Sequence, residues 1–153
     1  MSTISCQSVS DVVDFAIEKE EKAMEFYRKC AERAKNPGIK EFFKEMAIEE
    51  QSHRDMLKNL DSLNLNEIKL QKVEDLKISD YLIEVPFTEN ITYQDALLLA
   101  MKKEEKAHAF YSGWKDKCMN EKASMLFQVL ENEEAKHKRK LENLYDEEIL
   151  AWD

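Results

Sequence analysis

Apolar residues recur three and four positions apart along four stretches of the chain, and each stretch breaks the pattern with acids or histidines at set places. In the first, Val13, Ala16, Ala23, Tyr27, Cys30 and Ala34 line up with Glu20 among them. In the second, Ile39, Phe43, Met46, Leu57 and Leu60 frame Glu50 and His53. Leu97, Ala100, Ala107, Tyr111, Trp114 and Cys118 surround Glu104 in the third, and Ala123, Phe127, Leu130, Leu141 and Leu144 surround Glu134 and His137 in the fourth. This spacing puts each set on one face of an α-helix and forms the seam of a helical bundle. Helix starts are legible too. Ser8 with Asp11 three residues on has the form of a capping box, and that helix is predicted to run to about Lys35. Asn36-Pro37 combines an N-cap with a proline at the first helical position. Thr92 with Asp95 opens the third helix, and the fourth starts near Asn120.

The pattern repeats at an offset of 84 residues. Glu20 recurs as Glu104, Tyr27 as Tyr111, Glu50 as Glu134 and His53 as His137. One helical hairpin is therefore used twice. Glu20 lies 16 residues before the turn at Asn36 and Glu50 lies 14 after it. Both stand roughly 20–25 Å from the turn along their helices, so antiparallel pairing sets them at one level. The reading is all-α: a single domain over 1–153, with hairpins at 8–62 and 92–148 and a crossover at 63–91. KVEDLKISDYLI in the crossover is expected to form a short helix, and Val85-Pro86-Phe87 to be extended. A crossover of this length can traverse the bundle, giving a ferritin-like four-helix bundle with one long connection.

Composition narrows the function. Two Gly, two Pro and 36% charged residues fit long helices with few turns. A net charge of −9 argues against nucleic acid as a partner. Cys6, Cys30 and Cys118 form no CxxC pair, and an odd count argues against a disulfide framework, so reduced thiols in a cytoplasmic chain are expected. Cys30 and Cys118 are expected to be buried and inert. The polar start MSTISCQSVSD has no secretory character, and no run of about 20 apolar residues is present to span a membrane.

The candidate chemistry lies in the acids. An ionised Glu on an apolar seam is costly unless it is paired or metal-bound, and four at one level repel one another. No Lys or Arg sits on the inward stripes. Two Fe(II) ions would bring four positive charges against the four carboxylates. Glu-x-x-His places both side chains on one helix face. Two such motifs with one Glu from each other helix form the di-iron or di-manganese carboxylate pattern. Mixed carboxylate and imidazole donors suit Fe or Mn, and zinc can occupy the same donors in purified protein. The set is Glu20, Glu50, His53, Glu104, Glu134 and His137. Glu21, Glu49, Glu105 and Glu133 also repeat. Glu21 and Glu105 have more charged neighbours and are expected in solvent, and Glu49 and Glu133 fit the seam less well. Tyr27 and Tyr111, seven residues after Glu20 and Glu104, are either core aromatics or phenol donors to a carboxylate. His108 is expected beside the site and half-exposed, since its repeat mate is Met24.

AIEKEEKAMEFY (16–27), EEQSH (49–53), AMKKEEKAHAFY (100–111), ENEEAKH (131–137) and DLKISDYLIEV in the crossover together resemble the rubrerythrin branch of the ferritin-like superfamily. The resemblance implies that the same six residues hold two iron ions, with Tyr27 and Tyr111 bonded to them. It also implies at least a homodimer, of a kind in which helices can be exchanged between chains. Two departures stand out. Rubrerythrins carry another Glu three residues after the third-helix ligand, where this chain has Ala107. That leaves the symmetric set of four Glu and two His also seen in bacterioferritin. The rubredoxin-like region with two CxxC pairs is missing from the sequence, so electrons are expected from an external donor such as a rubredoxin-like protein. Two Fe(II) ions deliver two electrons together, which matches reduction of hydrogen peroxide to water. The expectation is a di-iron peroxidase or oxidase acting on peroxide or dioxygen. The alternative is a ferroxidase or iron-handling protein of ferritin-like form.

Overall fold

The computed structural model describes residues 9–60, 88, 91–117 and 120–148. Four helices make it up: α1 (Val9–Arg33), α2 (Pro37–Lys58), α3 (Tyr93–Lys115) and α4 (Glu121–Glu148). No strand occurs among the described residues. The predicted crossover helix and the extended Val85-Pro86-Phe87 lie outside them, as do Ser8, Cys6 and Cys118.

The helix starts follow their caps. Asn36 is extended, and its side chain accepts hydrogen bonds from the backbone N–H of Gly38 and Ile39. Pro37 takes the first helical position, where no N–H is needed. Thr92 accepts from the N–H of Asp95 at 3.1 Å, and Asn120 from that of Ala123 at 2.9 Å. α1 ends at Arg33, two residues short of the predicted end, with Ala34 donating to the Cys30 carbonyl. Asn36→Ala removes both side-chain bonds at the tight α1–α2 turn. It is expected to cost about 1 kcal/mol, read from the urea midpoint at unchanged slope.

α1 packs on α2 and α3 on α4, as two hairpins. They lie in opposite directions. The α1–α2 turn shares one apolar cluster with the start of α3 and the end of α4: Tyr27, Cys30, Phe43, Leu97, Met101, Leu141 and Tyr145 belong to it. The other ends meet in a second cluster of Val12, Ala16, Leu57, Tyr111, Leu126, Phe127 and Leu130. Leu60 packs at the second cluster and Ile91 at the first, so α2 ends and α3 begins at opposite ends of the bundle. Arg33 Nη1 donates to the Thr88 carbonyl at 2.7 Å, tying the end of α1 to the approach to α3.

Two elements bury more than their predicted stripe. Six consecutive residues of α3, Ala96 to Met101, are buried, so this helix is enclosed on every side there. On α4, Lys138 and Glu142 are buried one position away from the seam. Lys138 Nζ lies 3.6 Å from Glu105 and 4.0 Å from Glu142. In the sequence this reads as an ordinary surface pair four residues apart. Among the described residues no helix is long and apolar enough to cross a membrane.

Candidate metal centre

Between the two apolar clusters lies a polar layer. Each helix contributes to it at the level set by the hairpin turns: Glu20 from α1, Glu50 and His53 from α2, Glu104 from α3, Glu134 and His137 from α4. All six are at most 3% exposed. They form two groups, Glu20, Glu50, His53 and Glu134, and Glu50, Glu104, Glu134 and His137. Within each group, one donor atom per residue lies within 4.8 Å of the others. Glu50 and Glu134 belong to both.

The imidazoles face inward through Nδ1. His53 Nδ1 stands 2.9 Å from Glu134 and 3.6 Å from Glu20. His137 Nδ1 stands 2.7 Å from Glu50 and 3.5 Å from Glu104. The two rings are nearly parallel at 5.4 Å. Tyr27 donates to Glu104 Oε1 at 2.5 Å and Tyr111 to Glu20 Oε1 at 2.6 Å, so each tyrosine serves the other hairpin's acid. The phenols are therefore both core residues and carboxylate donors.

Burial first, then the charges of Glu134, Glu104 and Glu20, pushes the Glu50 carboxyl well above the usual carboxylate range. Glu134 is raised by burial and then by Glu104 and Glu20. Burial also pushes Glu20 up, but the nearness of His53 and Glu50 and the hydrogen bond from Tyr111 outweigh it and leave Glu20 low. For His137 burial works downward, and the carboxylates, Glu104 foremost, overcome it and raise the ring. Burial, followed by Glu104 for Tyr27 and Glu20 for Tyr111, keeps both phenols protonated.

The donor atoms fit a metal. Glu20 Oε2, both Glu50 oxygens, Glu104 Oε2, Glu134 Oε1 and both imidazole Nδ1 atoms are buried and none is aligned for a hydrogen bond, although His137 Nδ1 and Glu50, and His53 Nδ1 and Glu134, stand at 2.7 and 2.9 Å. Buried polar atoms are ordinarily satisfied. Seven such atoms converging from four helices, all carboxylate oxygen or imidazole nitrogen, match the preferences of Fe and Mn.

The repeated neighbours separate as expected in part. Glu21 and Glu105 are half-buried rather than solvated: Arg54 lies 3.8 Å from Glu21, and Lys102 and Lys138 lie 3.9 and 3.6 Å from Glu105. His108 belongs to neither donor group. Its side chain is 34% exposed and its Nε2 is 3.7 Å from Glu131. Cys30 is a buried free thiol whose pKa burial raises to about 12, which makes it inert.

Glu49 was not legible as a site residue. Its Oε2 lies 2.8 Å from His137 Nε2, the ring nitrogen that faces away from the cage. Hydrogen bonding to His137 brings the Glu49 pKa down to about 2. Such a carboxylate fixes the tautomer and orientation of an imidazole whose other nitrogen binds metal. The only sequence signal was its repeat as Glu133, and that mate pairs instead with Lys136 at 3.7 Å. Glu49→Ala is expected to lower metal affinity about 10- to 100-fold with the helices intact, measured by competition with a chelator.

The Rubrerythrin family profile matches residues 11–145. The chain belongs to the rubrerythrin family. No curated protein matches it. Among solved structures, a hypothetical protein from Pyrococcus furiosus aligns over 99% of both chains with a TM-score of 0.67 and 24% identity, a likeness of fold.

Proposed function

We propose that this chain is a non-haem di-iron oxidoreductase that reduces hydrogen peroxide to water, using electrons from a separate, rubredoxin-like donor. The observation that carries the reading is the cage of buried donor atoms with no aligned hydrogen bond, arranged as two groups that share Glu50 and Glu134. Glu20 and His53 would hold one ion, Glu104 and His137 the other, and Glu50 and Glu134 both. When bound, two Fe(II) ions supply the two electrons that turn one peroxide and two protons into two waters, and end as two Fe(III).

The chain's own residues organise the site. Tyr111 and Tyr27 hold one oxygen of Glu20 and of Glu104 and leave the other free for the cage. Glu49 turns Nδ1 of His137 inward. The apolar clusters above and below close the layer at both ends and strengthen its electrostatics.

The test is anaerobic loading with Fe(II), elemental analysis, and Mössbauer spectra after one equivalent of peroxide or of air-saturated buffer. Two irons per chain that peroxide oxidises faster than air support the reading. Oxidation by air as fast as by peroxide, with growth of a mineral inside a large shell, assigns the chain to iron handling instead.

A further inference from the structure

The repeat that carries the acids also carries four lysines. Lys19 recurs as Lys103, and Lys22 as Lys106. α1 and α3 bring all four around one opening, a cavity of about 190 Å³. Its floor is Glu20, Glu50, Glu104 and Glu134. Ala23 and Ala107, also repeat mates, line it and leave the way down to the carboxylates open. A longer side chain at either position would fill that passage.

Two of the four ammonium groups are held in place. Lys19 Nζ sits 5.5 Å from the Phe110 ring and Lys103 Nζ 5.1 Å from the Phe26 ring. Phe26 and Phe110 are themselves repeat mates, so each lysine rests on a phenylalanine of the other hairpin. Lys19 also lies 5.4 Å from Phe15. A cation over an aromatic face is attracted to it. The charges also sense one another. Burial, then Lys106 and Lys22, lowers Lys19, with Glu20 opposing; burial, then Lys106 and Lys19, lowers Lys103. Lys22 meets Glu18 at 3.0 Å on the open surface, where such a pair is weak. In a chain of net charge −9, gathering like charges at one opening works against stability. A role at the opening gives the arrangement a reason.

We propose that this mouth is an anion-selective access route to the metal-loaded cage, holding a small monovalent inorganic anion between Lys19, Lys103 and the floor. The inference rests on the di-metal reading, because the acid floor alone repels an anion. Two bound metal ions cancel the four carboxylates, and the lysines then set the sign of the field. A ring of one charge concentrates the opposite ion and depletes its own, an effect that salt weakens. The cavity is smaller than the roughly 300–1,000 Å³ typical of organic-ligand sites, which confines the choice to small anions.

Azide is the probe, titrated optically into the oxidised iron-loaded protein at several salt concentrations. K19Q/K103Q is expected to bind azide about tenfold more weakly, with a flatter salt dependence. K19R/K103R keeps the charge and is expected to keep the affinity. K44Q/K58Q removes the same charge from exposed positions on α2 and is expected to stay within about twofold of the parent. In a second readout, the metal-free K19Q/K103Q protein is expected to bind Co(II) as tightly as the parent, so that a change in azide affinity is not a loss of metal. Equal azide affinity in K19Q/K103Q and K44Q/K58Q, or loss of Co(II) binding in K19Q/K103Q, overturns the proposal. Metal bound normally with lysine-independent azide affinity sinks this proposal alone, whereas a chain that binds no metal sinks the di-metal reading with it.

Discussion

Loading with two Fe(II) ions is expected to raise the midpoint of thermal unfolding by roughly 15–30 °C, and the gain to widen as pH rises above the ordinary carboxylate value. Free metal at a thousand times its dissociation constant contributes about 4 kcal/mol per site, hence about 8 for two sites, at about 2–4 °C per kcal/mol in a chain of this size. The pH dependence follows from the cage. Burial and neighbouring carboxylates raise Glu50 and Glu134 in the folded, metal-free protein. Above the ordinary carboxylate value the folded chain then binds more protons than the unfolded one, so stability falls as pH rises. His137 acts in the same direction. Its folded value is raised, so its contribution is complete below the ordinary histidine value and is lost as pH climbs through the folded one. Glu49 and Glu20 have lowered values. Their contributions are present above the ordinary carboxylate range and are lost only on acidification, through about 2 for Glu49. Metal competes with protons for the cage atoms, so the loaded protein does not share the loss. Calorimetry at three pH values, with metal and with chelator, reads the gap. Parallel curves would contradict the assignment.

Glu50→Gln is expected to abolish binding of both ions and to make the metal-free protein more stable. Glu50 belongs to both donor groups, whereas Glu20 belongs to one. Elemental analysis of E50Q is therefore expected to give less than about half an ion per chain, and that of E20Q about one. Neither Glu50 oxygen is aligned for a hydrogen bond, and the carboxyl lies among three other acids. A neutral amide of the same shape relieves that repulsion and donates to the acids around it. The expected gain is about 1–3 kcal/mol in urea unfolding of the metal-free protein. A destabilised metal-free E50Q that still holds two ions would show that the cage is built around other residues.

The cage was legible because it breaks the energetic rule of its surroundings. An acid such as Glu20 between Ala16 and Tyr27 stands out against an apolar stripe, and the 84-residue repeat shows it twice. The hairpin level was legible from residue counts and helical rise alone. Glu49 was hidden for the opposite reason. It is half-exposed on its own helix, and its meaning comes from a bond to α4 that no local pattern encodes. Lys138 and Glu142 were hidden because their spacing is that of a solvent-exposed pair, and only tertiary packing buries them. Ala96 to Met101 showed an apolar run, but a single-face reading used only Leu97 and Ala100. The convergence of Lys19 and Lys103 needed the α1–α3 neighbourhood, which the sequence orders but does not measure.

The exchange of phenols between hairpins, Tyr27 to Glu104 and Tyr111 to Glu20, bears on how such a molecule arises. One half of the chain has an acid without its hydroxyl donor and a hydroxyl without its acid. A second copy of the same half, turned to face it, supplies both. Duplication of an ancestral self-associating hairpin, followed by fusion through the crossover, would therefore preserve a working arrangement at every step, with no stage at which either half had to function alone.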